Sequence, residues 1–227
     1  MNWERVFGPP YYSFDYGPVH FIALDDIRWM GRNHPDPKAK STYSGGLGED
    51  QLKFIENDLA LIPEEKLVVL MMHIPLINSA WHYPDDSDLK KLYDLIAERP
   101  FCFSVSAHTH TQQHKFIKTE DGWPALEPHH HLIAVTVCGS WWSGAPDENG
   151  IPHTTMRCGA PNGYTLVSFD GNEYSMVFKA ARRPADHQMN IFAPEVVDSE
   201  SAGNIEVIVN VFAGSEKSEV EMKFGQE

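Results

Sequence analysis

The sequence is poor in cysteine and in positive charge, and it has no long hydrophobic run. Its cysteines are Cys102, Cys138 and Cys158. Three is an odd number and no two stand in a C-x-x-C spacing, so neither a disulfide framework nor a zinc knuckle is indicated. Cys102, set between Phe101 and Phe103, reads as core. The longest apolar stretch, Leu67 to Leu76, is interrupted by His73 and Pro75 and is far too short to span a bilayer. The opening Met-Asn-Trp-Glu-Arg lacks the charged-then-apolar pattern of a signal peptide. Lys and Arg number 18 against 32 Asp and Glu, a formal charge of −14. The densest basic spot is Arg182-Arg183, which argues against a broad polyanion surface and so against nucleic acid as a tightly held partner. A small phosphorylated substrate stays compatible, provided that something other than Lys and Arg neutralises it locally.

What is present describes a globular chain. Its 227 residues, 42% hydrophobic, suffice for one sizeable core or for one and a half ordinary domains. Residues 11–26 read as two short strands around Gly17-Pro18. The polar, Pro-rich stretch 31–46 reads as a long loop. Leu52, Ile55, Leu59 and Ile62 then recur at helical spacing, with Glu49 and Asp50 suited to the first turn and Pro63 to the stop. The run "KLVVLMMHIPL" has the length and unbroken apolarity of a strand covered on both faces. A second helix carries Leu89, Leu92, Tyr93 and Ile96 on one stripe and ends at Pro100, and "FCFSVSA" is the next buried strand. This alternation predicts an α/β layer with a mixed or parallel sheet.

Beyond residue 114 the pattern turns to β. "HLIAVTVCGSWW" reads as a strand, residues 143–163 as a Gly/Pro-rich loop, and residues 164–180 as a hairpin about Asp170-Gly171. After the linker "ARRPADHQ", two further strands are expected in "IEVIVNVFA" and "EVEMKF".

Chemistry concentrates in histidine. His108 and His110 follow a buried strand at its carboxyl end, where α/β sheets usually place their sites. Two residues at i and i+2 project to one side of an extended chain. An isolated H-x-H also fits a pair of exposed turn histidines. His73 ends the other apolar strand, where an unpaired titratable group is costly. If the two strands are neighbours, the three imidazoles come to one end of the sheet; the bland alternative for His73 is a core ring bonded to a backbone carbonyl. His20 reads as structural or surface, and His34, His82, His153 and His187 as solvated loop residues. His114 reads as an exposed strand residue or a partner behind the ligands. His129, His130 and His131 alternate sides of a strand, so they cannot all face one metal. Trp141 and Trp142 fit a pocket mouth or interlayer packing, and Asn162, in "GAPNGY", fits a turn or a substrate loop.

At this point the chain resembles calcineurin-like metallophosphoesterases. "LMMHIPL", a helix, then "SAHTHT" are similar to the last two signature motifs of that family, and the resemblance implies that His73, His108 and His110 ligate metal. It implies His73 and His108 on one ion and His110 on a second. "FGPPYYSFDYGPVHFIALDD" is similar to the segment after the family's central motif, and residues from Gly139 onward resemble the C-terminal domain of a secreted bacterial subgroup. Ala107 stands where the motif has Gly, a change that strains the chain only if φ there is positive. The family's D-x-H, G-D-x-x-D and G-N-H-[DE] motifs do not occur in this sequence.

The resemblance implies a fold equal to the C-terminal half of a four-layer α/β/β/α sandwich over residues 1–137, followed by a β-rich domain over residues 138–227. It implies hydrolysis of phosphate mono- or diesters by metal-bound hydroxide in an intact protein with two divalent ions (Mn, Fe or Zn) and a periplasmic or extracellular location. Two close dications need anionic ligands. Three imidazoles suit one, so at most one ion is expected in this chain, with weak activity or none. The sequence therefore reads as an interior fragment, with no catalytic residue assigned and Trp141, Trp142 and Asn162 as substrate contacts. The rival readings are a non-catalytic module with at most one structural metal, and a single-metal hydrolase using Asp25 or Asp26 as base.

Overall fold

A computed structural model describes residues 2–31, 43–77, 87–134, 136–152, 155–198, 200 and 202–223. After a short helix α1 (Asn2–Phe7), strands β1 (Tyr12–Tyr16) and β2 (Val19–Ala23) form the antiparallel pair expected around Gly17-Pro18. The far end of the expected 31–46 loop holds more order than its polarity suggests. β4 (Tyr43–Gly45) pairs with β3 (Ile27–Trp29), while residues 32–42 lie outside the described residues.

Helix α2 (Glu49–Leu59) buries Leu52, Ile55 and Leu59, with Glu49 and Asp50 in its first turn as the dipole favours. β5 (Leu67–Met71), α3 (Ser87–Ala97) and β6 (Cys102–Ser106) complete the predicted alternation. Leu92, Tyr93 and Ile96 of α3 are buried in the same cluster as Ile55, Val68 and Leu70. Helix period on one side and continuous apolarity on the other therefore meet in one core.

The main sheet has six strands in the order β1-β2-β5-β6-β8-β7, where β7 is Gln113–Ile117 and β8 is His129–Ile133. β2, β5, β6 and β8 run parallel, and β1 and β7 are antiparallel at the edges. The carboxyl ends of β5 and β6 are therefore adjacent, with Met71 level with Val105. The α/β class with a mixed sheet is thus observed.

The opposite face of this sheet is covered by a hairpin, β9 (Gly163–Asp170) and β10 (Glu173–Ala180). Gly171 and Asn172 make its two-residue turn, with Gly171 at φ 60°. Val167, Phe169, Tyr174 and Met176 of the hairpin pack on Val19, Val69 and Phe103 of the sheet. A third cluster joins Met156, Ala160, Phe178, Ala180 and Phe212.

Three expectations are corrected here. The predicted strand from His131 to Trp142 ends at Ile133, and its far end is a turn in which Gly139, Trp141 and Trp142 take left-handed conformations that no strand accepts. The final strand pair is not built from "IEVIVNVFA" and "EVEMKF". Instead β12 (Ile208–Val211) pairs with β11 (Met189–Phe192), placed just after the expected linker, and residues 218–223 form no strand. His114 is not an exposed strand residue: it lies half-buried on β7, bonded to His130.

Candidate metal centre

His73 lies two residues beyond β5, and His108 and His110 lie beyond β6, on segments that the parallel pairing sets side by side. The backbone binds these ends together. Met72 N–H donates to Val105 O at 3.0 Å and Ala107 N–H donates to His73 O at 3.1 Å. The segment after Ala107 is not extended, contrary to the i, i+2 reading. His108 and His110 have φ of 64° and 53°, and Thr109 N–H donates back to Ala107 O at 2.7 Å. Ala107 itself is not among the positive-φ residues, so its replacement of Gly brings no strain there. The strain sits on the histidines.

His73 Nε2 and His108 Nδ1 are 2.9 Å apart, with ring centroids 4.8 Å apart and planes at 72°. Burial lowers the pKa of both rings. His110 lowers His73 further, and His73 and His110 lower His108 further. Both are therefore neutral at pH 7, the form that ligates metal.

His110 Nδ1–H donates to the Gly139 carbonyl at 2.9 Å, so Nε2 is the ring nitrogen outside that bond. Its ring lies 4.7 Å from that of exposed Trp141, and Tyr43 approaches His108 edge-on at 6.0 Å. Trp142 is on the same turn, closed by Trp142 N–H to Cys138 O at 3.1 Å. Asn162 does not reach the histidines by any described bond. Its side-chain amide donates to Val137 O at 2.9 Å and so braces that turn.

Asp26, expected only as the base of the rival single-metal hydrolase, holds backbone here. Its buried carboxylate accepts His73 N–H at 3.1 Å and Ile74 N–H at 2.6 Å, clamping the chain that bears His73. Burial pushes its pKa up to about 6, opposed by those same backbone bonds. Asp25 and Asp26 line a cavity of about 510 Å³ together with His73, Trp3, Glu4 and Leu24. The signal was in the sequence, as an acidic pair closing the apolar strand "VHFIALDD".

His20, His114, His129, His130 and His131 bond side chains within the fold, while His34, His82 and His153 lie outside the described residues. His129 Nε2 and His131 Nδ1 both bond Ser104 Oγ, at 2.8 and 2.6 Å, and His131 Nε2 bonds Ser106 Oγ at 2.8 Å. On the opposite face His130 bridges His114 at 2.9 Å and Tyr174 OH at 2.7 Å. The alternation predicted for this triplet is what separates the two sets. His20, on β2, is buried between Asp15 and Asp58, each at 2.8 Å.

Among the described residues, no group of three or more His, Cys, Asp or Glu side chains is arranged to hold a metal ion. The His73–His108 pair alone tests the fit. For Zn–N bonds of about 2.0–2.1 Å, two corners of a tetrahedron lie about 3.3 Å apart, and the pair stands within half an ångström of that separation. The two rings are hydrogen-bonded to each other, one nitrogen donating; with that proton moved to the donor ring's other nitrogen, both lone pairs would face one borderline-soft divalent ion.

Residues 131–227 match the family model described as the C terminal of calcineurin-like phosphoesterase. A solved structure of PhoD is similar over 75% of this chain and 40% of its own, at 13% identity and a TM-score of 0.41. The chain thus spans about two fifths of that structure. No curated protein matches it in sequence.

Proposed function

We propose that this chain carries the imidazole half of a metal-dependent phosphoesterase centre and the β-rich domain that accompanies it. The observation that carries the reading is the 2.9 Å approach of His73 Nε2 and His108 Nδ1 at adjoining carboxyl ends of parallel strands. The family match of residues 131–227 supports the class of reaction. His73 and His108 would hold one divalent ion, of Mn, Fe or Zn type. His110, held on the Gly139 carbonyl and not grouped with that pair among the described residues, would serve a second ion in an intact two-metal centre. Bound there, the ions would polarise a phosphoryl oxygen and acidify a water. Asp26 holds the His73 segment in place, and Trp141 and Trp142 border the centre where a small phosphate mono- or diester would enter.

The division at residue 137, the relation of the six-stranded sheet to half of a four-layer sandwich, and a periplasmic or extracellular location belong to the same proposal. Among the described residues no helix is long and apolar enough to cross a membrane. The D-x-H, G-D-x-x-D and G-N-H-[DE] motifs are not in this sequence, so the anions that would balance two dications are not supplied by those motifs. The purified chain is therefore expected to bind one divalent ion and to turn over bis(4-nitrophenyl) phosphate weakly or not at all. Brisk Mn- or Zn-dependent turnover, lost in His108→Ala, would instead establish the single-metal hydrolase. Failure to bind any divalent ion would leave the non-catalytic module.

A further inference from the structure

Five non-glycine residues have positive φ among those described: His108, His110, Trp141, Trp142 and Arg182. Left-handed backbone is costly for bulky side chains and gathers at functional sites. Two of the five belong to the metal centre. Trp141 packs near His110, and the remaining two, Trp142 and Arg182, line a second place, a pocket of about 200 Å³ with Arg183, Pro152, Pro161 and Ile151. It collects the Arg182-Arg183 pair, the densest basic spot in a chain of net charge −14.

The pocket and the metal centre share one turn. Gly139 O receives the His110 Nδ1–H bond, and Trp142, three residues on, forms the pocket wall. Three residues reach at most about 11 Å even when extended, and this turn is folded. Asn162, which also lines the pocket, ties the turn to the start of β9 through Val137 O.

We propose that this pocket is a subsite for the alcohol part of the phosphate ester, and that it selects a planar ring bearing an anionic group. The inference rests on the metal-centre reading for the position of the phosphoryl group, but the pocket's chemistry stands by itself. Its walls include the indole of Trp142 and two proline rings, which suit a flat apolar body. Apart from Arg182, its charged side chains are already engaged. Asp147 Oδ1 accepts the Asn149 and Ile151 N–H groups at 2.9 and 3.1 Å, and Arg183 is paired with Glu148. A polyhydroxylated sugar would find few partners there. Arg182 is exposed and makes no ion pair among the described residues, so its guanidinium is the anchor for an anion at the rim. The volume lies below the ~300–1,000 Å³ of sites for drug-sized ligands, which limits the occupant to one ring and its substituent.

The test is calorimetric titration of the full chain in EDTA with phenylphosphonate, methylphosphonate and benzyl alcohol. Phenylphosphonate is expected to bind at least ~10-fold more tightly than either comparison ligand, since each lacks one of the two recognised features. Arg182→Gln should weaken phenylphosphonate by ~10-fold or more, Arg182→Lys should recover part of that loss, and Lys53→Gln on α2 should change nothing. Trp142→Ala should also weaken it; if that variant does not fold, exposed Arg182 decides alone. Equal binding of phenyl- and methylphosphonate, or an Arg182→Gln variant that binds like the parent, would overturn the proposal. Because EDTA removes metal, loss of the metal-centre reading would show only in a separate zinc titration and would leave these results unchanged.

Discussion

At the scale of single residues, the balance between burial and hydrogen bonding decides what each titratable group does. Asp26 is buried and clamps two backbone N–H groups, so Asp26→Ala strands both donors. Thermal or urea unfolding should show a loss of about 2–4 kcal/mol, whereas an exposed carboxylate such as Glu56 should be removable for less than about 0.5 kcal/mol. Burial lowers His129 and His131 to about 3 and His130 to about 4. These rings enter the fold neutral, so their contribution is intact above the unfolded value of about 6.5 and is lost as pH falls towards the folded values. Asp26 runs the other way. Its folded pKa of about 6 lies above the unfolded 3.8, so acidification between those limits favours the fold. With His73, His108 and His114 lowered as well, the histidines outweigh the one carboxylate, and stability falls on acidification below about pH 6.5. The urea midpoint should therefore fall steeply from pH 7 to pH 5.5, and equal midpoints would show that the histidines are not held neutral.

At the scale of elements, what was legible in the sequence was whatever a period or a turn residue writes locally. Leu52, Ile55 and Leu59 mark α2, the apolar run 67–71 marks β5, and Gly171 marks the hairpin. The adjacency of β5 and β6, on which the His73–His108 approach depends, followed from the parallel α/β rule and was expected only conditionally. Partnerships between distant segments were not legible. Nothing near Met189–Phe192 names Ile208–Val211 as its pair, and the bends at His108 and Trp141 cost backbone energy that no local propensity foretells. The Ser104–His131 bonds were equally hidden, because they require the β6–β8 register. Close packing between elements also yields a test. A Cβ on Gly163 would lie 2.6 Å from the Phe178 ring and 2.7 Å from Lys179 O. Gly163→Ala should therefore destabilise the hairpin by about 1–3 kcal/mol in urea unfolding, because the backbone oxygen cannot turn aside.

At the scale of the whole molecule, one sheet does two jobs. Its helix-covered face supplies the main core, while its carboxyl edge brings His73 and His108 together. The hairpin that closes the other face is fastened by a polar relay as well as by apolar contact, through His130 to Tyr174 OH. Removing that hydroxyl in Tyr174→Phe should cost about 1 kcal/mol while leaving metal binding unchanged, since the relay lies on a different edge from the histidine pair. The stability of the fold and the capacity of the centre are thus separable by mutation. The most direct test of the central claim is zinc titration of the metal-free full chain beside its His108→Ala variant. One ion should bind the parent, and the variant should bind it at least ~10-fold more weakly with its unfolding midpoint unchanged. Identical zinc binding by the two proteins would contradict the account.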